Sequence, residues 1–274
     1  MPFVQNQGVK IFWDSFGAGK PLLLIMGLGY PSTMWYRSLP ELSASYRVIV
    51  FDNRGTGKSD VPSGPYPIAT MASDALEVLH AAGENSAHVF GASMGGMIAQ
   101  EFTLQYPAAV RSLILGCTYC GGSKAVQAAP EVGAMLVNRG SLTGDELLEV
   151  AVPIVYAPQT PRARIEEDFD VRRKLPTDPA GYMAQLQGIM AWGSYSRLGQ
   201  IGVPTLIVHG DCDRLVPPEN AQILHNAIKG SEMVIIHNAS HIMMTDQPEA
   251  VSAAVMPFLA KHSHPIPPKS SAVL

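Results

Sequence analysis

The sequence is poor in cysteine, in charge and in long apolar runs. Its 274 residues include three cysteines, an odd number that cannot complete a disulfide framework. Charged residues make up 15% of the chain, against roughly a quarter in an average protein. The hydrophobic share of 47% is high enough to build a buried core. We therefore expect a globular protein that folds without disulfide bonds.

An excess of positive charge is also missing. The 19 Lys and Arg residues face 23 Asp and Glu, a formal net charge of -4, whereas a phosphate backbone or an anionic membrane attracts the opposite sign. No segment approaches the roughly 18 uninterrupted apolar residues of a membrane span, and residues 1–8 lack the pattern of a secretion signal. We predict no nucleic-acid or membrane partner and a cytoplasmic location, and leave a homo-oligomer open.

Two of the cysteines, Cys117 and Cys120, form a C-x-x-C pair. This spacing is used by redox and zinc sites. Redox pairs of this kind open a helix, whereas this pair follows the strand-like segment 111–116. We therefore interpret both cysteines as small buried residues at the end of a strand.

Strand-like and helix-like segments alternate along the first 117 residues. Short apolar runs, typical of strands buried on both faces, stand between helical patterns. The predicted strands are 9–16, 22–26, 47–51, 87–91 and 112–116. The predicted helices include 39–43 and cover 68–82 and 94–105. This alternation indicates a parallel sheet whose right-handed crossovers place helices on both faces.

The alternation stops after Cys117 and resumes near residue 204. Residues 119–200 contain helix-like stretches, proline-containing joints and a charged run at 162–174, without a strong strand signal. Such a segment is typical of a helical insertion lying over the sheet. The strands and helices predicted beyond it are 204–209, 219–228, 233–237 and 248–261.

These patterns together predict an α/β protein with a doubly wound, mostly parallel sheet and a helical cap inserted into it. The core domain comprises residues 1–117 and 201–262, and the cap comprises residues 118–200. Residues 263–274 are rich in proline and serine and are predicted to form a flexible tail.

A G-x-S-x-G motif, Gly91-Ala92-Ser93-Met94-Gly95, lies between a predicted buried strand and a predicted helix. This is the context of a nucleophile elbow, a strained turn that exposes the serine hydroxyl. The chain can crowd around such a turn only if the neighbours two positions away lack a Cβ, which Gly91 and Gly95 satisfy. The helix that begins at Met94 directs free N–H groups at the reaction centre. Ser93 is therefore the predicted nucleophile.

A serine nucleophile needs a base, and histidine has a suitable pKa. Of the eight histidines, His241 follows a predicted strand and so lies, like Ser93, at the carboxyl edge of the sheet. His237 is the competitor but belongs to the strand end. His88 and His209 fall on predicted strands and are interpreted as structural. We predict His241 as the base.

A carboxylate must orient that histidine and stabilise its protonated form. The loop after the predicted strand 204–209 carries two, Asp211 and Asp213, and position alone leaves both open. With either acid, the three residues follow one another along the chain in the order nucleophile, acid, base.

This order and several further motifs resemble the α/β-hydrolase fold family, over essentially the whole stretch from Val9 to about His262. Residues 52–59, Asp-Asn-Arg-Gly-Thr-Gly-Lys-Ser, are similar to the family's D-x-R-G-x-G-x-S loop. Residues 239–241, Ala-Ser-His, correspond to its catalytic-histidine turn, and the helical stretch 119–200 corresponds to its cap.

The resemblance also bears on the acid and on the oxyanion hole. Residues 210–213, Gly-Asp-Cys-Asp, resemble the family's G-x-x-D loop, whose last residue is the triad acid, so Asp213 is favoured over Asp211. The family's first oxyanion loop usually reads His-Gly-x, and here it reads Met26-Gly-Leu28. The resemblance therefore implies Leu28 N–H and Met94 N–H as donors, although the usual histidine is replaced.

Apolar residues of the cap and neighbouring loops are predicted to line a substrate pocket, with plain core packing as the alternative. The pocket candidates are Tyr119, Met135, Met190, Trp192 and Met243. The charged run 162–174 is interpreted as a solvated helix face, with capture of a charged substrate as the alternative.

The predicted function is a serine hydrolase that cleaves carboxylic esters of small to medium acyl chain through an acyl-enzyme, without a cofactor or a metal. A serine at the elbow argues against family members with an Asp nucleophile, the haloalkane dehalogenases and epoxide hydrolases. Enol-lactonase or other lactonase, carbon-carbon bond hydrolase and cofactor-free haloperoxidase activities remain alternatives on the same residues. A ligand receptor with vestigial hydrolase activity is the alternative from another class.

Overall fold

Eight strands form one sheet in the computed structural model, which describes residues 2–138 and 144–263. The strands are β1 (Phe3–Asn6), β2 (Val9–Phe16), β3 (Lys20–Ile25), β4 (Tyr46–Phe51), β5 (Ala87–Ala92), β6 (Val110–Gly116), β7 (Thr205–Gly210) and β8 (Glu232–Ile236). Their order is β1-β2-β4-β3-β5-β6-β7-β8. The pairs of β1 with β2 and of β2 with β4 are antiparallel, and the others are parallel. The predicted mostly parallel sheet is confirmed.

Alternate residues of the central strands point into two separate cores. In β3, Leu23 and Ile25 belong to the core on one face, whereas Leu22 and Leu24 belong to the core on the other. The helices packed on the first face are α2 (Ile68–Ala81), α3 (Met94–Gln105) and α8 (Glu219–Ala227). Those on the second are α1 (Leu39–Ser45) and α10 (Pro248–Lys261), with the short α9 (Met243–Asp246) before α10. The sheet is therefore doubly wound, as predicted.

Between β6 and β7 the chain forms further helices. They are α4 (Pro130–Asn138), α5 (Gly144–Val155), α6 (Arg162–Lys174) and α7 (Pro179–Met190). Val132, Val155, Ile165 and Phe169 from this segment share a small apolar core with Ile242, the neighbour of His241. These helices thus pack beside the loop that carries the predicted base. The cap boundaries at 118 and 200 remain a prediction, and the tail prediction lies outside the described residues from 264 onward.

The charged run 162–174 is helix α6, and it is only partly a solvated face. Arg162 and Arg173 lie at the surface, but Asp168 and Arg172 are buried, Asp168 completely. With Ile165 and Phe169 they form the inward stripe of the helix. The buried side of this helix was not predicted because half of the buried stripe consists of charged residues, whereas a buried helix face is recognised by its apolar periodicity.

Cys117 and Cys120 are buried and carry free thiols. Burial raises the pKa of the Cys117 thiol well above its ordinary value, which keeps the thiol protonated at neutral pH. In the part of the chain that the structure describes, no helix is long and apolar enough to cross a bilayer.

Candidate active site

Ser93 occupies a strained turn between β5 and α3. Its backbone has φ 58 and ψ -122, a region that residues other than glycine seldom adopt. The turn is held by hydrogen bonds from Ser93 N–H to Gly116 O (2.9 Å) and from Thr118 Oγ1 to Ser93 O (2.7 Å). The surrounding structure therefore fixes the conformation that presents the serine hydroxyl.

The two glycines of the motif are required by close packing. A Cβ on Gly91 would collide with the carbonyl oxygen of Gly95, and a Cβ on Gly95 would collide with that of Ile25. Backbone atoms cannot rotate away as a flexible side chain can. Glycine at both positions is thus what lets β5, α3 and the end of β3 meet around Ser93.

His241 connects Ser93 to a buried carboxylate. Its Nε2 lies 2.9 Å from Ser93 Oγ, and its Nδ1 lies 2.8 Å from Asp213 Oδ2. Because a carboxylate only accepts, Nδ1 carries the proton donated to Asp213, and Nε2 is left to accept the Ser93 hydroxyl proton. This is the arrangement in which a serine is activated for nucleophilic attack.

Asp213 is buried, and both oxygens of its carboxylate accept hydrogen bonds. Its Oδ1 accepts hydrogen bonds from the backbone N–H groups of Leu215 (2.9 Å) and Val216 (2.8 Å). Burial alone would raise its pKa, but the charge of His241 and hydrogen bonds from His209 and His241 lower the pKa to about 2. The carboxylate is therefore ionised at neutral pH and can stabilise a protonated His241.

The alternative acid and base lie together, away from Ser93. Asp211 Oδ2 is 2.6 Å from His237 Nδ1, and the His237 side chain is 84% exposed. Neither residue lines the cavity that contains Ser93. The structure thus brings Ser93, Asp213 and His241 together and leaves Asp211 and His237 as a surface pair.

His209 is a contributor that the sequence interpretation placed only as a structural strand residue. It is fully buried, and its Nε2 lies 2.8 Å from Val216 O and 3.3 Å from Asp213 Oδ2. Since a carbonyl oxygen cannot donate, Nε2 carries the proton and shares it between the two acceptors. His209 therefore donates to the same carboxylate oxygen as His241 and helps to hold it in place. The spacing of four residues from Asp213 was the only sequence signal for this contact.

Two buried carboxylates, also missed, connect the helices 130–190 to the His241 loop. Asp246 Oδ2 accepts from Ser240 N–H (2.7 Å) and Ala157 N–H (3.2 Å). Asp168 Oδ2 accepts from the Thr245 hydroxyl (2.7 Å) and the Tyr156 hydroxyl (3.0 Å). Asp246 thereby links Ser240, just before His241, to Ala157. Asp168 links Thr245, just after His241, to Tyr156.

Leu28 and Met94 flank Ser93 with backbone donors. No turn or loop hydrogen bond in the described ranges uses Leu28 N–H, and Met94 is the first residue of α3, whose N–H has no partner within the helix. Gly27 brings the loop against Ser93, since a Cβ there would lie 3.0 Å from Ser93 Cβ. Leu28 N–H and Met94 N–H thus remain the candidate donors of an oxyanion hole.

Other side chains brace this loop where the usual histidine is replaced by Met26. Asn53 Nδ2 donates to Met26 O (2.9 Å), and Gly29 N–H donates to Gln185 Oε1 (2.8 Å). Gln185 Nε2 in turn donates to Arg54 O (2.8 Å). The loop 26–29 is therefore held by an amide network that reaches into α7.

A cavity of about 220 Å³ opens beside Ser93 and His241. Its lining is mainly apolar and includes the predicted residues Tyr119 and Met135. The structure corrects the other three pocket candidates. Met190 is 73% exposed, Trp192 donates its indole N–H to Glu101 Oε2 (2.9 Å), and Met243 is buried in the core. A hydrophobic pattern indicates burial but cannot distinguish a cavity wall from solid packing.

The carboxylate of Glu101, which accepts the hydrogen bond from Trp192, is expected to stabilise the fold. Burial would raise the pKa of Glu101, but hydrogen bonds from Arg197, Gln105 and Trp192 lower it to about 2. A carboxyl whose pKa falls on folding stabilises the fold above its ordinary value of 4.5, and this stabilisation is lost as the pH falls toward 2. Glu101→Gln should therefore lower the unfolding free energy at pH 7. The expected loss is limited to about 1–2 kcal/mol because Arg197 is partly exposed and water screens its charge.

Urea unfolding at a series of pH values tests this expectation. The difference between wild type and Glu101→Gln should shrink between pH 4.5 and pH 2. Glu232→Gln, which removes an exposed ion pair with Lys261, is the matched control and should change stability by less than about 0.5 kcal/mol. A Glu101→Gln difference that stays constant over this pH range would contradict the assignment.

A sequence model of the alpha/beta hydrolase family matches residues 22–254. The chain belongs to this family. Among its relatives is a protein of Azorhizobium caulinodans provisionally named carbamate hydrolase RutD, which is 28% identical over 263 residues, 94% of this chain and 98% of that protein.

Two solved structures of this family are also similar. The enol-lactonase of Burkholderia xenovorans LB400 is 25% identical with a TM-score of 0.84, and covers 94% of this chain and 100% of its own. A thermophilic esterase of Thermogutta terrifontis is 27% identical with a TM-score of 0.84, and covers 96% of this chain and 99% of its own. The α/β-hydrolase fold is therefore shared over nearly the full length.

Proposed function

We propose that this protein is a serine hydrolase that cleaves carboxylic esters of small to medium acyl chain through a covalent acyl-enzyme. The observation that carries the proposal is the continuous hydrogen-bonded line from Ser93 Oγ through His241 to Asp213. Similarity to an esterase over almost the whole chain supports the ester as substrate.

Acylation begins when Ser93 Oγ attacks the ester carbonyl carbon and His241 Nε2 takes the hydroxyl proton. The new C–O bond leaves a negative charge on the former carbonyl oxygen. The N–H groups of Leu28 and Met94 stabilise this oxyanion, a contribution of about 3–4 kcal/mol per donor in comparable sites. Protonated His241 then gives its proton to the leaving alkoxide as the tetrahedral intermediate collapses.

Deacylation repeats these steps with water. His241 takes a proton from a water molecule, which attacks the acyl carbon and forms a second oxyanion in the same hole. Collapse of this intermediate releases the carboxylic acid and returns the proton to Ser93 Oγ. Asp213 stays ionised throughout, since its low pKa disfavours accepting the proton from His241.

Lactone hydrolysis is the second candidate, supported by the similarity to an enol-lactonase. A lactone is a cyclic ester, so every step above applies, and the leaving alkoxide remains attached to the acyl group. Carbon-carbon bond hydrolysis, cofactor-free haloperoxidase activity and a receptor with vestigial activity remain alternatives on the same site.

A hydrolysis panel tests the proposal. We expect repeated turnover on p-nitrophenyl esters from acetate to octanoate, with short and medium chains preferred, and labelling of Ser93 by a fluorophosphonate. Lactones measured beside them decide between the first two candidates. A burst that ends near one turnover would indicate a receptor. Absence of both hydrolysis and labelling would overturn the proposal.

A further inference from the structure

His209 is a second histidine beside Asp213, and it reaches the carboxylate by two routes. Directly, its Nε2 lies 3.3 Å from Asp213 Oδ2, the oxygen that also accepts from His241 Nδ1 at 2.8 Å. Indirectly, its Nε2–H donates to Val216 O at 2.8 Å, and Val216 N–H donates to Asp213 Oδ1 at 2.8 Å. Both oxygens of the carboxylate are therefore connected to the imidazole of His209.

The strand that carries His209 makes this connection rigid. His209 belongs to β7, which is paired with β6 on one side and β8 on the other, and its side chain is fully buried. Asp213 lies instead in the loop that follows this strand. A side chain held by packing on a strand is positioned more precisely than one on a loop. His209 thus gives the loop residue Asp213 a fixed point of attachment on the sheet.

One ring nitrogen of His209 makes all of its hydrogen bonds in the described part of the chain. The other, Nδ1, is buried and has no hydrogen-bond partner there. A buried polar atom without a partner lowers stability. The contacts that favour a histidine at this position are therefore those of Nε2, with Val216 O and Asp213 Oδ2.

We propose that His209 is a positioning residue of the hydrolase, which holds the Asp213 carboxylate in the orientation that directs His241 at the serine hydroxyl. His209 does not line the cavity beside Ser93, so it acts through Asp213 and not on the substrate. Without it, the remaining described contact of Oδ2 is His241 Nδ1, and carboxylate and imidazole can shift together away from the serine. This inference rests on the proposed function and adds a residue on which its proton transfer depends.

Two substitutions at His209 test the proposal on p-nitrophenyl butyrate. His209→Leu removes the donor, whereas His209→Gln keeps an N–H donor close to the position of Nε2. His209→Leu should lower kcat by about tenfold or more, because a small displacement of a catalytic group can cost about 10²-fold. KM should stay within about threefold, since the cavity wall is unchanged. His209→Gln should recover at least about threefold of the lost kcat.

His88→Leu is the matched control, because it also removes a buried histidine from the sheet. His88 is fully buried on β5, and its ring nitrogens face Ser112 Oγ (2.8 Å) and Ser263 Oγ (3.3 Å). It lies near the start of the strand, whereas Ser93 follows the end. His88→Leu should lower stability and leave kcat within about threefold of wild type. All rates are divided by the folded fraction obtained from unfolding curves.

The double variant His209→Leu/Asp213→Asn separates positioning from a general structural effect. Asp213→Asn already leaves His241 without its carboxylate, so a residue that acts through this carboxylate has nothing further to lose. We therefore expect His209→Leu to change kcat by less than about threefold in this background. A general structural effect would lower kcat by the same factor in both backgrounds. If His209→Leu does not fold, His209→Asn takes its place, because its amide is too short to reach the position of Nε2.

The outcomes separate this inference from the proposed function. A loss of kcat that appears in His209→Leu, is partly restored in His209→Gln and disappears in the Asp213→Asn background supports the inference. A kcat of His209→Leu close to that of wild type, an equal loss in His88→Leu, or an undiminished loss in the Asp213→Asn background overturns it and leaves the serine hydrolase intact. Failure of the wild-type protein to hydrolyse any ester or lactone overturns the proposed function itself.

Discussion

Ser93→Ala is expected to lower kcat on p-nitrophenyl butyrate by about 10⁴- to 10⁶-fold. The substitution removes the Oγ that forms the acyl bond, while Leu28 and Met94 N–H remain to stabilise an oxyanion. Some acceleration over water, about 10³- to 10⁴-fold, should therefore survive. The loss appears in kcat because the missing bond forms only during the reaction, whereas the cavity that binds substrate is unchanged.

The measurement is steady-state hydrolysis with circular dichroism and thermal unfolding as controls for folding. Alanine has the same backbone restrictions as serine at φ 58, so the fold should persist. Ser252→Ala changes a half-buried serine on α10 that is hydrogen-bonded to Glu41, and this matched control should hydrolyse the ester normally. Turnover by Ser93→Ala comparable to wild type would exclude Ser93 as the nucleophile.

Asp213→Asn is expected to lower kcat by about 10⁴-fold. Asparagine keeps the shape of the site, but its amide can donate to His241 Nδ1. His241 would then carry its proton on Nε2 and could not accept the one on Ser93. The substitution also removes the negative charge that stabilises protonated His241.

Asp211→Asn is the natural control, because Asp211 lies two residues away and pairs with a different histidine, His237. Its hydrolysis rate should stay within about threefold of wild type, in line with a surface substitution. Ester hydrolysis is measured for both variants, and unfolding curves check that both variants are folded. A large loss in Asp211→Asn with a small loss in Asp213→Asn would reverse the assignment of the acid.

The contacts of the candidate triad could be anticipated because each side chain follows a predicted strand. Parallel strands end at one edge of the sheet, so Ser93 after β5, Asp213 after β7 and His241 after β8 converge there. The choice between Asp211 and Asp213 could not be made from position. A difference of two residues in a loop depends on its turns, which here place Asp213 Oδ1 on Leu215 and Val216 N–H.

Secondary structure was predictable where apolar periodicity and stop signals agreed. Helices α3 and α10 have their expected bounds, Met94–Gln105 and Pro248–Lys261. Strand β1 (Phe3–Asn6) was missed because four residues with partial burial carry little signal, and its pairing with β2 is tertiary. The buried stripe of α6 was missed because two of its four residues, Asp168 and Arg172, are charged.

The pocket was the least predictable part. Met135 and Met190 both stand on helices between β6 and β7, yet one lines the cavity and the other is exposed. The rotation of each helix about its axis decides this, and it depends on contacts with distant segments.

Asp246 and Asp168 link the turn that carries His241 to the helices between β6 and β7. Asp246 holds Ser240 and Ala157 by their N–H groups, and Asp168 holds Thr245 through its hydroxyl. Transplanting the segment 118–200 from a relative would remove Asp168, so that the Thr245 hydroxyl loses its acceptor, and would remove the Ala157 N–H that donates to Asp246. Exchanging this segment to alter selectivity therefore requires that Thr245 and Asp246 be redesigned with it.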